Sequence, residues 1–160
     1  PAVVASTPTS LETDSFVINP QFDDAWDFSD GLARVLIGGN VTGKWGFIDK
    51  TGSVVINPQF DDASSFSDGL AAVLIGDFRT GKWGFIDKTG SFVINPQFDN
   101  GGSFSDGLAV VRIGDFETGK DGFIDKTGTF VINPQFDDAR SFSEGLVRVR
   151  IGDEWGFIAR

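Results

Sequence analysis

The stretch Gly43-Lys-Trp-Gly-Phe-Ile-Asp-Lys-Thr-Gly-Ser-Val-Val-Ile-Asn-Pro-Gln-Phe60 decides the fold, because close copies of it recur along nearly the whole chain. Its closing word N-P-Q-F returns at a constant interval of 38 residues, beginning at Asn19, Asn57, Asn95 and Asn133. Such a period is typical of stacked units that are each too small to bury their apolar face alone. After an N-terminal lead of residues 1–14, we therefore predict one array, 15–160, of four units: 15–52, 53–90, 91–128 and 129–160.

The composition limits the possible functions. The 160 residues are 40% hydrophobic and include 17 Phe and 4 Trp, which is enough for a continuous core. A net charge of −10 argues against a nucleic-acid partner, because such binding depends on Lys and Arg neutralising phosphates. No run reaches the roughly 18 apolar residues that a membrane span needs, so we predict no membrane insertion. Cys and His are both absent, and we predict no enzyme activity and no cofactor.

Three strand-like runs recur in each unit. Phe16–Asn19 is a β-branched run that we predict to end as a short strand at Pro20, since proline has no N–H for a sheet ladder. Leu32–Ile37 alternates apolar and variable positions, and we predict it to be the innermost strand. Lys82–Asp87 shows the third run, K-W-G-F-I-D. The pattern predicts an all-β fold of three-stranded antiparallel meanders in a propeller-like or solenoid-like array.

The connections carry turn signals. We predict that Gln21–Gly31 is a crossover without a strand, in which Asp23 or Asp24 caps a single helical turn. Asp87-Lys-Thr-Gly90 predicts a hairpin with glycine at the left-handed position. Each unit is thus a meander plus a crossover.

Three recurring phrases resemble the bacterial WG-repeat (KWG repeat) family. They are K-W-G-F-I-D-K-T-G, F-V-I-N-P-Q-F-D-D-A and F-S-D-G-L-A-x-V, and together they cover residues 15 to 158. The resemblance implies an all-β repeat array, found alone or appended to other domains and mostly without assigned activity. It implies no catalytic residues.

The third unit departs from the pattern. Asp121 stands where the other units have tryptophan, and Asn100-Gly-Gly102 replaces the D-D-A type of crossover. Because a charge takes the place of an indole of about 200 Å², we predict a hollow at Gly101, Gly102 and Asp121. The first unit instead carries an additional bulky side chain, Trp26. A contact between molecules, with this knob filling that hollow, and drift in a tolerant repeat both remain open.

The two ends of the chain carry complementary strands. Phe16–Asn19 lacks a preceding W-G-F-I-D partner, and Trp155–Ile158 lacks a following F-V-I-N partner. Unpaired strand edges template further pairing. The two strands can meet within one chain and close a propeller-like ring, or meet between chains in a head-to-tail contact that propagates. Val3 and Val4 of the lead offer an added strand.

These features favour a non-catalytic structural protein that assembles head to tail with itself into an extracellular filament or a cell-surface assembly. The residues predicted to form the assembly contacts are Val3, Val4, Phe16, Val17, Ile18, Trp26, Gly101, Gly102, Asp121, Trp155, Phe157 and Ile158. The alternative is a monomeric, closed, propeller-like module whose loops and aromatic rings bind a glycan or protein partner. We predict turn and cap roles for the repeated aspartates, with calcium binding as the alternative, although no D-x-[DN]-x-[DN]-G loop occurs.

Overall fold

The computed structural model describes residues 2–3 and 15–160, and over these residues the chain is an all-β repeat array. Fifteen strands form four antiparallel sheets, which follow one another along the sequence. None of the described residues forms a helix, so this part of the chain has no helix long and apolar enough to cross a membrane. The predicted fold class is confirmed.

The sheets are numbered in chain order, and strands are hydrogen-bonded in sequence order within each of them. Sheet 1 contains β1 (Asp24–Ala25), β2 (Ala33–Ile37), β3 (Lys44–Ile48) and β4 (Val54–Phe60). Sheet 2 contains β5 (Asp62–Ala63), β6 (Ala71–Ile75), β7 (Lys82–Ile86) and β8 (Phe92–Phe98). Sheet 3 contains β9 (Asn100–Gly101), β10 (Ala109–Ile113), β11 (Lys120–Ile124) and β12 (Phe130–Phe136). Sheet 4 has three strands, β13 (Asp138–Ala139), β14 (Leu146–Ile151) and β15 (Glu154–Ala159).

The prediction that the N-P-Q-F strand ends at its proline is wrong. β4 continues through Pro58 to Phe60, and its pairing with β3 shifts from Phe47↔Ile56 to Trp45↔Phe60. Proline is tolerated here because β4 is the edge strand of its sheet and the register is already irregular. The predicted hairpin turn is confirmed, with Gly90 at a φ of 86°.

Two further predictions about the unit were wrong. The crossover contains a short strand rather than a capped helical turn, since Asp24 and Ala25 pair with Leu36 and Val35. The Leu32–Ile37 region is not the innermost strand alone, because β2 and β3 both lie between strands of sheet 1. Asp23 bonds loop amides instead of capping a helix, and its Oδ2 accepts hydrogen bonds from the N–H groups of Gly38 and Gly39, both at 2.9 Å.

The two terminal segments do not pair with each other. Phe16–Asn19 is not a strand, contrary to our prediction, and it does not pair with Trp155–Ile158. β15 pairs only with β14 among the described residues. The intramolecular seam that we considered is therefore not formed. Val3 is exposed and lies outside any strand, while Val4 lies outside the described residues.

The core lies between successive sheets, and we call each contact between two sheets a joint. In the joint between sheets 1 and 2, Phe47 of β3 packs on Phe66, which precedes β6, in a T-shaped arrangement with ring centroids 4.8 Å apart. The corresponding pairs in the next two joints are Phe85–Phe104 and Phe123–Phe142, each at 5.1 Å. All six rings are fully buried. Each joint thus contains the same phenylalanine pair, 38 residues further along the chain.

Candidate functional site: the two ends of the array

β15 presents an edge to which nothing in the described chain is bound. In sheets 1 to 3 the third strand (β3, β7 and β11) is covered by the following F-V-I-N-P-Q-F-type strand, but β15 is the last strand of sheet 4. Trp155 is consequently half-exposed and Phe157 is 70% exposed, whereas Phe47, Phe85 and Phe123 at the corresponding positions are fully buried. Ile158 still packs against the core of sheet 4. The end of the array therefore leaves two large aromatic side chains without a covering strand.

Gly156 shows where the missing strand belongs. At Gly84, an added Cβ would lie 2.6 Å from the carbonyl oxygen of Ile94 and 2.7 Å from the nitrogen of Pro96 in the covering strand β8. Gly46 and Gly122 are equally close to the backbone of β4 and β12. A Cβ on Gly156 would have nothing within 4 Å. The glycine that elsewhere admits the backbone of a covering strand is thus present at an edge that lacks one.

Residues 16–22 have the sequence of such a covering strand. They read F-V-I-N-P-Q-F, identical to β8 and β12. Their local conformation is also similar, because the side-chain amide of Gln21 donates to the carbonyl of Asn19 at 3.2 Å, as Gln97 does to Asn95 at 3.1 Å. Residues 16–22 therefore share part of the local conformation of the covering strand, although they have no strand partner in the described chain.

Ile18 anchors this segment on sheet 1. An added Cβ on Gly52 would lie 3.2 Å from the side chain of Ile18, and one on Gly90 would lie 3.1 Å from that of Ile56. Ile18 and Phe22 pack against Ala33, Val35 and Ile48. The segment thus sits on sheet 1 as β4 sits on sheet 2. Phe16 and Val17 are exposed.

The N-terminal face also carries half of an aromatic pair. Phe28 occupies the position of Phe66, Phe104 and Phe142, yet it is 41% exposed because no sheet precedes sheet 1 among the described residues. Phe157 occupies the position of the ring to which those residues pack. Each end of the array thus holds one member of the Phe–Phe contact that forms every internal joint.

Arg148 at the C-terminal end repeats the geometry of Arg34. The Arg34 guanidinium lies 5.0 Å from the ring centre of Trp45, donates to the carbonyl of Ala63 across the joint and lies 3.8 Å from Asp62. Arg148 lies 5.1 Å from the ring centre of Trp155, but no acceptor across a joint is present for it in the described chain. Its guanidinium is thus placed for an Asp–Ala pair, the sequence found at 24–25.

The lysine of the internal joints is replaced by a glutamate in sheet 4. Three joints contain a Lys–Asp ion pair: Lys44–Asp61, Lys82–Asp99 and Lys120–Asp137. The residue before the tryptophan is Glu154 in sheet 4, while the corresponding aspartate on the N-terminal face is Asp23. A joint between the two ends would bring two carboxylates together at this position.

The family follows from a comparison with known sequence families. The model of the WG containing repeat matches residues 12–40, 45–77, 83–115 and 122–155, which together make up most of the chain. The chain belongs to the WG-repeat family. No curated protein and no solved structure matches the chain. The W-G pair of the WG repeat is present at the start of β3, β7 and β15, and β11 keeps the glycine but not the tryptophan.

The irregular third WG repeat forms a hollow, as predicted, but at an internal joint. Gly101, Gly102 and Asp121 line one cavity of about 580 Å³ between sheets 3 and 4. Asp121 is buried, accepts a hydrogen bond from Arg112 at 2.7 Å and accepts another from the amide of Ala139 at 2.9 Å. Burial raises the pKa of Asp121 despite the guanidinium. Sequence reasoning missed Arg112, which replaces a leucine opposite the tryptophan in sheets 1 and 2.

Trp26, the predicted knob, is engaged within its own WG repeat. Its half-exposed ring lies 4.2 Å from the Arg34 guanidinium. The structure does not bring it near Gly101, Gly102 or Asp121 within the chain, since it lies on sheet 1 and they lie at sheets 3 and 4. A contact between Trp26 and that hollow in another molecule stays a prediction.

The repeated aspartates serve turns and caps, as predicted. Asp87 accepts hydrogen bonds from the hydroxyl of Thr89 at 2.6 Å and from the amides of Thr89 and Ser91. These bonds, led by that of the Thr89 hydroxyl, lower the pKa of Asp87, and Asp49 and Asp125 behave alike. Residues 2–3 and 15–160 contain no cluster of three or more metal-ligating side chains. The carboxylates therefore have structural partners in the turns themselves.

Proposed function

We propose that the chain is a non-catalytic structural module that joins head to tail with further copies of itself. Residues 16–22 of a second copy add to β15 as the fourth strand of sheet 4. The observation that carries this proposal is the match between the two ends, since F-V-I-N-P-Q-F is identical to β8 and β12 and the edge of β15 lacks that strand. Main-chain hydrogen bonds along an open edge are a common basis of strand addition.

The repeat fixes the register of the proposed joint. In sheet 1, Phe47 pairs with Ile56, Ile48 with Val54 and Trp45 with Phe60. In the proposed joint the corresponding pairs are Phe157 with Ile18, Ile158 with Phe16 and Trp155 with Phe22 of the second copy. Ile18 and Phe22 already pack on sheet 1 of their own chain, so little reorganisation is needed before the segment binds.

Apolar burial favours the joint. Phe157 is 70% exposed and Phe28 is 41% exposed in the single chain, and the joint pairs them in the manner of Phe47 and Phe66. Burying a phenylalanine side chain contributes about 1.5–3 kcal/mol, and a T-shaped pair adds about 0.5–1.5 kcal/mol. The half-exposed Trp155 is covered by the same strand. These contacts lie at the centre of the joint, where binding energy concentrates.

One charged contact favours the pairing of unlike ends, and it lies apart from the Glu154 position that would face Asp23. By the geometry of Arg34, Arg148 pairs with Asp24 and donates to the carbonyl of Ala25 of the second copy. Opposite charges steer such a contact and set its orientation. The contact is heterologous, so it yields a filament unless its rotation closes a ring.

Sedimentation velocity over a wide concentration range tests the proposal. The wild-type chain should form a concentration-dependent ladder of species, and Phe157→Ala should weaken each step by about 30-fold, or about 2 kcal/mol. Phe116→Ala is the matched control, because Phe116 is 92% exposed but lies away from both ends. A wild-type chain that stays monomeric at every concentration contradicts head-to-tail assembly. So does equal weakening by both substitutions.

The predicted extracellular or cell-surface location remains a prediction from the sequence. Fractionation of the producing cells, with the chain detected by antibody, tests it separately from assembly. Recovery of the chain in the culture medium or on intact cells is the expected result. Recovery only after lysis contradicts the predicted location.

A further inference from the structure

Two loops of the array carry a phenylalanine at their tips. Phe78 lies in the loop 76–81 between β6 and β7, and Phe116 lies in the loop 114–119 between β10 and β11. Their side chains are 88% and 92% exposed, the two most exposed phenylalanines among the described residues. Neither ring contributes to a joint or to the ends of the array. Their exposure has no role in folding the chain.

Both loops are held rigidly beneath the ring. Asp77 accepts hydrogen bonds from the amides of Arg79 and Thr80, both at 2.8 Å, and from the hydroxyl of Thr80 at 2.5 Å. Asp115 accepts the corresponding three bonds from Glu117 and Thr118 at 2.6–2.9 Å. A ring presented on a rigid loop loses less conformational entropy when it binds a ligand.

The aromatic tips flank only the joint between sheets 2 and 3. The first repeat has Asn40 at the position of Phe78 and Gly39 at that of Asp77, so both the ring and its cap are missing there. The fourth repeat shortens this loop to Gly152-Asp-Glu154. The capping aspartate and the ring therefore occur together in two adjacent repeats. This coincidence points to a local function of that joint.

A groove of about 810 Å³ runs between the two tips. Trp83 also lines it, so three aromatic rings border the same space. The polar lining carries both signs of charge, with the two cations Arg79 and Arg112 and the three anions Asp99, Asp115 and Glu117. Arg112, Asp99 and Asp115 are already bonded within the fold. In the described chain no side-chain hydrogen bond or ion pair engages Arg79 or Glu117, which leaves one donor group and one acceptor group for a ligand.

We propose that this groove binds a neutral pyranose oligosaccharide. The C–H faces of a pyranose ring are flat and apolar and stack on aromatic rings, while its hydroxyls both donate and accept. The groove offers both features, because its lining combines three aromatic rings with a guanidinium, a carboxylate and the amide of Asn100. A strongly charged ligand of either sign would face like charges in this mixed lining. Phe78 and Phe116 lie on the tips of separate loops, so that successive sugar rings of one chain can stack on them.

Isothermal titration with neutral hexasaccharides tests this site. The panel contains β-linked glucose, xylose, mannose and N-acetylglucosamine hexamers, together with a charged galacturonate hexamer and an apolar hexapeptide. At least one neutral hexamer should bind saturably, and Phe78→Ala/Phe116→Ala should weaken that binding at least tenfold. Phe157→Ala is the matched control and should leave it unchanged.

The possible outcomes separate this site from head-to-tail assembly. The groove proposal is overturned if no neutral hexamer binds, if the double variant binds as well as wild type, or if the galacturonate hexamer or the hexapeptide binds more tightly than every neutral sugar. Sedimentation of Phe78→Ala/Phe116→Ala should match wild type. Failure of assembly with intact sugar binding would refute the proposed function alone, and the reverse result would refute only the groove.

Discussion

Gly156→Ala is a substitution whose effects on folding and on assembly should differ in direction. An alanine Cβ at Gly156 meets nothing within 4 Å in the single chain, so folding is not impeded. Alanine also loses less backbone entropy than glycine, which stabilises the strand by up to about 1 kcal/mol. In the joint, the same Cβ would lie about as close to the incoming backbone as the 2.6 Å found between Gly84 and the Ile94 carbonyl. Such overpacking costs about 1–3 kcal/mol, or about 5- to 150-fold in affinity.

Two assays measure these effects on the same samples. Urea denaturation of dilute Gly156→Ala should give a free energy of unfolding equal to or above that of wild type, and sedimentation velocity should show weakened assembly. Gly84→Ala is the matched control and should lower the free energy of unfolding by about 1–3 kcal/mol, because β8 already covers Gly84. Undiminished assembly of Gly156→Ala would refute the addition of a strand to β15.

Three other predictions concern charged positions. Glu154→Lys restores the Lys–Asp pair of the internal joints opposite Asp23 and should tighten assembly up to about fivefold in sedimentation experiments; weaker assembly would contradict the register. Arg112→Leu/Asp121→Trp replaces a buried ion pair by the Leu–Trp pair of sheets 1 and 2, and should raise the free energy of unfolding by about 1–4 kcal/mol, whereas Asp121→Leu alone should lower it by about 3–5 kcal/mol. Asp87 has a lowered pKa in the folded chain, so its ionisation stabilises the fold above the unfolded value of about 3.9, and this stabilisation is lost as the pH falls through the folded value. Urea titrations between about pH 6 and pH 2 should show that loss, and Thr89→Val should make it smaller.

The period and the strand runs of the fold were predictable from sequence, because the hydrophobic pattern and the glycine turns recur without insertion over three units. The extent of the N-P-Q-F strand was not, since Pro58 suggested a stop and only the edge position of β4 and its irregular register permit the strand to continue. The two-residue strand at Asp24–Ala25 was missed because a length of two residues carries no periodicity.

The candidate site was predictable only in outline. The complementary phases of the two ends pointed to Ile18 and Phe157. Any strand needs a neighbouring strand to pair with, so the state of residues 16–22 in the single chain could not be read from their sequence. Phe28 and Arg148 were missed because the partners of their repeat positions are known only from the structure of the internal joints. The role of Gly156 could not be predicted either, because it follows from the short distance between the corresponding glycines and the backbone of the covering strand, which no sequence pattern contains.

The most direct measurement of the proposed joint is disulfide cross-linking between two singly substituted chains. The chain has no cysteine of its own, so Phe157→Cys in one sample and Ile18→Cys in another place single thiols at positions that correspond to Phe47 and Ile56, which pair in sheet 1. After mild oxidation, the mixture should yield a dimer joining one chain of each kind, and Phe116→Cys mixed with Ile18→Cys should not. Equal yields from the two mixtures, or no mixed dimer at all, would contradict head-to-tail strand addition.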